Sequence, residues 1–402
     1  LFGSIEYPLA WNPEIAPTAA RTQAVSDYRT PPAPICQLMN FSEIARMPEI
    51  QSPPPPSKSF HPDFRRIAVE EAFVPPNLAT RYLQMVEEGS ATDRGFLSLW
   101  GFYGGREGAR TTGVLQRIQD LGEQRIADMD ATGVDLQILS LSCPGVQIFD
   151  GPTATTLARD TNDQLAEAIR KYPKRFAGLA AIAPQEPAAA ARELERGVRQ
   201  LGLKGAIINS HTRDEYLDDP KFWDIFAAAE SLGVPIYLHP NTPSRGLIEP
   251  FLEKGLDGAI FGFAVETGLH LLRIITSGVF DRFPRLQIVV GHLGEALPFW
   301  MFRIDFMHQR AVAGKRYASL RALERAPSDY LRQNVYVTTS GMAWQPVILF
   351  VHSVMGADRV MYAMDYPYQF VPAEVQVTDN LPLSLEDKRK LYQLNAERVF
   401  QL

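Results

Sequence analysis

Cysteine is nearly absent. Cys36 and Cys143 stand far apart and in no metal-binding spacing, so neither a disulfide framework nor a cysteine-held metal organises this chain. Long apolar runs are missing too, and none reaches the roughly 20 residues that a membrane-spanning helix requires. Positive charge is not in excess. The formal net charge of −6 over 402 residues leaves no basic footprint for nucleic acid and no polybasic patch for a membrane. The opening residues LFGSIEYPLAW lack the basic start and continuous apolar stretch of a secretion signal, so a cytoplasmic protein is expected. No glycine-rich phosphate loop follows the first apolar run, which argues against a doubly wound nucleotide-binding sheet.

What is present divides the chain in two. Residues 1–62 carry Pro31, Pro32, Pro34 and the run Pro53 to Pro56 with no sustained helical or strand period, and they read as an irregular Pro-rich arm and linker. From residue 63 to 402 a rhythm of short β-branched runs and amphipathic stretches takes over. The runs are RRIAVEEAF (65–73), DLQILSL (135–141), FAGLAAI (176–182), GAIINS (205–210), PIYLHP (235–240), LQIVVGH (286–292), NVYVTTS (334–340) and VMYAMDYP (360–367). ARELERGVRQL (191–201) and FWDIFAAAESLG (222–233) are helical in pattern. Short, near-continuously apolar runs bounded by Gly, Pro or charge fit strands buried on both faces. Eight of them separated by helices predict an α/β fold, a (β/α)8 TIM barrel, as the single catalytic domain. The stretch 74–115 is too long for an ordinary loop and reads as a functional or interface insertion.

In such a barrel the C-terminal strand ends build the active site. Reading only those ends gives Glu70, Glu71 and Ala72, then Asn209, Ser210 and His211, then His239, His292 and Asp365. Each has a plain structural use: an ion pair for Glu70, packing for His239, a helix cap for His292, a turn before Pro367 for Asp365. Together at one mouth, Glu, His and Asp suit a divalent cation with positions left open for substrate. His270, His308 and His352 fall in helical patterns and read as surface or packing residues, while His211 stays open as a pocket candidate.

GHLGEALP (291–298) and DRVMYAMDYPY (358–368) resemble signatures of the amidohydrolase-related, metal-dependent decarboxylases of the aminocarboxymuconate-semialdehyde decarboxylase type. Within that family the 5-carboxyvanillate decarboxylases are most similar, through RIAVEEAF (66–73), SLWGFY (98–103), RIADMDATG (125–133), INSHT (208–212), GLDGAIFGFAVETG (255–268) and YAMDYPYQ (362–369). The resemblance spans residues 65–402 and leaves out the arm. It implies metal ligands at Glu70, His239 and Asp365, with Asp365 and His292 as catalytic groups. It further implies substrate binding by His292, Arg303, Arg110 and Tyr368, with Arg110 and Tyr368 reaching in from an adjacent subunit of a homodimer or a dimer of dimers. Many relatives carry a second ligand two residues after the first, whereas this chain has Ala72 there. That gap favours Mn²⁺ or Mg²⁺ in an oxygen-rich shell over the histidine-rich zinc site of hydrolytic relatives; Mn²⁺ is the first expectation, with Mg²⁺ and Zn²⁺ as alternatives, and no organic cofactor is expected.

The partner so implied is a small aromatic carboxylate. A ring carboxylate does not leave unless the electrons of the breaking bond have somewhere to go. An ortho hydroxyl lets a metal act as template and Lewis acid while the ring carbon is protonated, so that carbon dioxide departs as aromaticity returns. Asp365 is the implied proton donor, with His292 to orient or exchange that proton. Arg303 and Arg110 would take the remaining anionic groups through bidentate forks, and Trp100, Phe102 and Tyr103 are candidates to stack on the ring. Two other functions fit less well: a hydrolase of the same superfamily, and a barrel kept for binding alone.

Overall fold

The computed structural model describes residues 63–105 and 108–402, so the Pro-rich arm lies outside the described residues. Nine strands appear in chain order: β1 (Ile67–Phe73), β2 (Leu136–Leu141), β3 (Phe176–Gly178), β4 (Ala180–Ala181), β5 (Ala206–Asn209), β6 (Ile236–His239), β7 (Ile288–Val290), β8 (Val335–Thr338) and β9 (Val360–Met361). All pair in parallel, as β1–β2–β3 and as β4 through β9 in sequence order. Leu179 alone separates β3 from β4, donating from its N–H to Leu139 O at 2.9 Å, so the two pieces are one stave. At the other seam Val69 N donates to Tyr362 O at 3.1 Å, and Glu71 pairs in parallel with Tyr366. Eight staves therefore close on themselves. Every strand residue is buried, which explains the unbroken apolar runs: helices cover one face and the barrel interior fills the other.

The last stave is shorter than VMYAMDYP suggests. Only Val360 and Met361 are strand, and Asp365 sits beyond them with φ +72°. The stretch after β1 is no loop either. It folds into helices Pro76–Glu87, Arg94–Gly105 and Ala109–Gln119, whose sequences lack the β-branched runs of the staves. In β1 an extra residue between Ala68 and Glu71 shifts the register against β2, a bulge of the kind that re-aims side chains beside active sites.

Helix Leu297–Ala313 buries Leu297, Pro298 and Met301. Its outer surface is apolar, with Phe302 82% and Phe299 71% exposed, and with Trp300, Phe306 and Met307 exposed beside them. A face of this kind marks an interaction site more often than a solvated surface. No helix among the described residues is long and apolar enough to cross a membrane.

Where β3 gives way to β4, Ala181 has no strand neighbour on one side. Asn162, fully buried on helix Gly151–Lys171, takes that place. Its Oδ1 accepts from Ala181 N at 2.8 Å, and its Nδ2 donates to Ala181 O at 2.9 Å and to Glu193 Oε1 at 2.8 Å. Asn162→Ala should destabilise the fold by about 2 kcal/mol, because it strands the buried N–H and C=O of Ala181, while Glu193 keeps its paired bonds to Arg196. Urea denaturation measures this, and a loss below about 1 kcal/mol would mean that the vacated groups find other partners.

Candidate metal centre and active site

Four side chains named from the strand ends meet at the C-terminal mouth. Glu70 comes from β1 and His239 from the end of β6, while His292 follows β7 and Asp365 follows β9. The ligand atoms of Glu70, His292 and Asp365 all lie within 4.8 Å of one another. His239 Nε2 stands 3.5 Å and His292 Nε2 3.6 Å from Glu70 Oε1. Among the described residues the compact three-ligand group thus contains His292 and not His239, although the sequence points to His292 only as an active-site histidine; His239 approaches Glu70.

The partners of each group define its state. Glu70 Oε2 accepts from the hydroxyls of Tyr237 and Thr338, the latter at 3.1 Å. Glu70 Oε1 is buried and has no hydrogen-bond partner. His239 Nδ1 donates to Pro240 O at 2.8 Å, which turns the lone pair of Nε2 toward Glu70. His292 Nδ1 bonds Glu295 Oε1 at 2.7 Å. Burial alone would lower the His292 pKa, but Glu295, Glu70 and Asp365 outweigh it and push it up to about 10. Asp365 is pushed up to about 8, by burial first and by the charges of Glu70, Glu374 and Glu295, with His292 opposing.

Three enclosed carboxyl groups, those of Glu70, Glu295 and Asp365, therefore crowd the His292 imidazole, and an orphaned Glu70 oxygen lies near two imidazole nitrogens. Burying like charges at this density is costly unless a cation or a proton offsets them. Oxygen and nitrogen donors so arranged fit a divalent metal of borderline hardness.

Beside the cluster lies a cavity of about 390 Å³. His239, His292 and Asp365 form its polar end. Leu99, Phe102, Tyr103, Val114, Ala259 and Phe263 make most of its wall, joined by Thr111, Tyr368 and Gln369. Cys143 also lines it, but burial and the nearby Asp365 push that thiol up to about 12, which leaves an inert wall rather than a nucleophile.

Other expected residues fall elsewhere. Tyr368, expected from an adjacent subunit, lines this chain's own cavity with its hydroxyl 2.7 Å from Ser142 Oγ, because it follows Asp365 by only three positions. Arg110 belongs to helix Ala109–Gln119, which lines the same chain's cavity through Thr111 and Val114; the Arg110 side chain is outside the described residues. Arg303 is exposed and does not line the cavity, since the helix turns it to the outer side, away from Leu297 and Met301. Trp100 is buried in the core and donates to Cys143 O at 3.2 Å, leaving Phe102 and Tyr103 at the wall. His211 is taken up structurally, with Nε2 bonded to Thr242 O at 3.1 Å and Nδ1 accepting from Asp214 N at 3.2 Å. Sequence reasoning missed Tyr237, Thr338 and Glu295. Of these only Glu295 left a signal, as a carboxylate three residues after His292.

With this geometry in view, the comparisons are consistent. The sequence profile of the Amidohydrolase family matches residues 110–402, and the chain belongs to that family. Gamma-resorcylate decarboxylase of Polaromonas sp. (strain JS666 / ATCC BAA-500) is 34% identical over 325 residues, covering 79% of this chain and 98% of that protein. The structure of 5-carboxyvanillate decarboxylase from Novosphingobium aromaticivorans DSM 12444, complexed with manganese and 4-hydroxy-3-methoxy-5-nitrobenzoic acid, superposes with a TM-score of 0.83 at 53% identity, covering 85% of this chain and 97% of that one. That of 5-carboxyvanillate decarboxylase from Sphingomonas paucimobilis gives a TM-score of 0.80 at 41% identity, covering 85% and 100%. The chain is thus an enzyme of the carboxy-lyase class, a metal-dependent decarboxylase of aromatic acids.

Near the mouth a second polar cluster holds the loops after β5 and β6. His270, fully buried, accepts from Leu217 N at Nε2 (2.9 Å) and bonds Ser210 Oγ through Nδ1 (3.2 Å). Burial, with help from His211 and Arg273, lowers its pKa to about 3. An unfolded histidine titrates near 6.5, so between about 6.5 and 3 the unfolded chain binds a proton that the folded one refuses. Stability should fall as pH drops through that window, by up to about 1.4 kcal/mol per pH unit from this group. Denaturation midpoints at pH 7 and pH 5 should show His270→Gln losing less on acidification than the wild type; equal losses would remove His270 as the source.

Proposed function

We propose that the chain converts 5-carboxyvanillate to vanillate and carbon dioxide, with Glu70, His239 and Asp365 holding a divalent metal and His292 beside them. The observation that carries the metal site is the buried, unpartnered Oε1 of Glu70 near two imidazole nitrogens. Manganese is favoured because the donors are mainly oxygen and nitrogen and because Ala72 leaves out the extra ligand of many relatives. When bound, the metal supplies a template and a Lewis acid for a phenolate and its ortho carboxylate.

The remaining chemistry belongs to the side chains. Asp365 is the proton donor in this scheme: burial beside Glu70 and Glu295 raises its affinity for a proton, which it delivers to the ring carbon that bears the departing carboxylate. The carbon–carboxylate bond then breaks, its electron pair returns to the ring, and carbon dioxide leaves. His292, bonded through Nδ1 to Glu295, stands within reach of Asp365 to return a proton to it for the next turnover. Phe102, Tyr103 and Phe263 give the ring a dry wall, which strengthens the electrostatic interactions at the polar end. Hydrolysis is the less favoured chemistry, since the ligand position at Ala72 is vacant of any donor.

A dicarboxylate needs a cation, and among the described residues none that lines the cavity is Lys or Arg. Arg110, one residue before Thr111, is the candidate from the same chain. Arg303 lies on the exposed apolar face of helix Leu297–Ala313, so a second copy covering that face would receive it. The proposed assembly is a homodimer with Arg303 serving the partner's cavity.

The primary test is carbon dioxide release from 5-carboxyvanillate, γ-resorcylate and 2,3-dihydroxybenzoate. 5-Carboxyvanillate should be turned over fastest, and equal or faster turnover of either other acid would reassign the substrate. Glu70→Ala should lose bound Mn²⁺ and at least about 100-fold in activity together; full metal occupancy in that variant would refute the ligand assignment. Subunit mixing tests the assembly. After exchange between Glu70→Ala and Arg303→Ala, half the dimers are mixed and half of their sites are whole, so roughly a quarter of wild-type activity returns. Proven exchange with no recovery would reject Arg303 as a residue shared between subunits.

A further inference from the structure

Glu71 stands next to Glu70 but points away from the cavity, and the mechanism above does not use it. It is fully buried. Its Oε1 accepts from Met364 N at 3.0 Å and its Oε2 from Tyr366 N at 3.2 Å, the two backbone amides that flank Asp365. Ala72 N donates to Tyr366 O at 2.7 Å, so side chain and backbone of β1 together grip this turn. Asp365 itself has φ +72°, a conformation that a non-glycine residue holds only when its surroundings over-determine it.

The grip is backed by a cation. Arg125 is fully buried, donates to Ala72 O at 2.7 Å and to Gln137 Oε1 at 3.2 Å, and lies 4.6 Å over the Tyr366 ring. The Tyr366 hydroxyl donates to Asp128 Oδ2 at 2.8 Å. Asp365 is thereby anchored on both sides by groups that never touch the cavity.

We propose that Glu71 is a positioning residue: its carboxylate clamps the amides on either side of Asp365 and so fixes Asp365 in the left-handed turn that aims it at the metal. This rests on the assignment of Asp365 as ligand and proton donor. A carboxylate is required because both of its oxygens accept. The isosteric Gln would set an amide N–H against a backbone N–H and keep one of the two bonds.

The test is Glu71→Gln, checked for folding by near-UV circular dichroism and thermal melting, with Asp365→Asn in parallel. Three readouts are compared with wild type: hydrogen exchange of peptides spanning residues 362–368, the dissociation constant for Mn²⁺, and the electron paramagnetic resonance spectrum of bound Mn²⁺. The clamp predicts faster exchange in that segment, Mn²⁺ binding weaker by about 10–100-fold, an altered spectrum, and a loss in kcat that exceeds any change in KM. Wild-type exchange and Mn²⁺ affinity in folded Glu71→Gln would overturn it. If Glu71→Gln does not fold, Glu71→Asp is read the same way, since it keeps the charge but is one methylene too short to span both amides. If Asp365→Asn binds Mn²⁺ like wild type, the ligand assignment fails, and hydrogen exchange alone then decides: faster exchange keeps the clamp, unchanged exchange ends it.

Discussion

The seam between β1 and the turn after β9 is where this barrel closes and where its charges collect. Two successive residues of one strand, Glu70 and Glu71, are buried carboxylates that face opposite sides. Burying either without compensation would be prohibitive, and the surroundings meet the demand in two different ways. Tyr237, Thr338 and the neighbouring imidazoles answer Glu70 and leave one oxygen unpartnered. Backbone amides and Arg125 answer Glu71 and oppose the rise in its pKa that burial imposes. One side of the seam is kept electrostatically incomplete and the other is completed internally.

That division accounts for the rest of the active site. The incomplete side faces a largely apolar cavity, where low polarity amplifies each charge and raises the carboxyl of Asp365 toward neutrality. His292 is raised as well, by Glu295, Glu70 and Asp365 against the effect of its burial, so the crowded carboxyl groups favour a proton on both residues. None of the described residues that line the cavity is Lys or Arg, while an exposed aromatic helix face lies on the same molecule with Arg303 in its midst. Assembly and substrate charge are, in the proposed scheme, two sides of one requirement.

The strand runs, the helix patterns and the convergence of Glu70, His239, His292 and Asp365 on one mouth were legible in the chain because each is a local property. Burial on both faces demands continuous apolar runs, and a parallel barrel places every strand's C-terminal end on the same side. Motifs such as GHLGEALP and YAMDYPYQ added the family, again because contiguous residues carry them. What the sequence could not decide is which side of an element a residue takes and which distant group meets it. Tyr368 entered its own chain's cavity, Arg303 left it and Trp100 was absorbed into the core, each through helix phase or turn geometry set by neighbours far along the chain. The bracing of Glu70 by Tyr237 and Thr338, and of Asp365 by Glu71, joins residues separated by 167 to 295 positions. Hydrogen bonds of that span exist only once the barrel has closed, so the tertiary structure alone determined them.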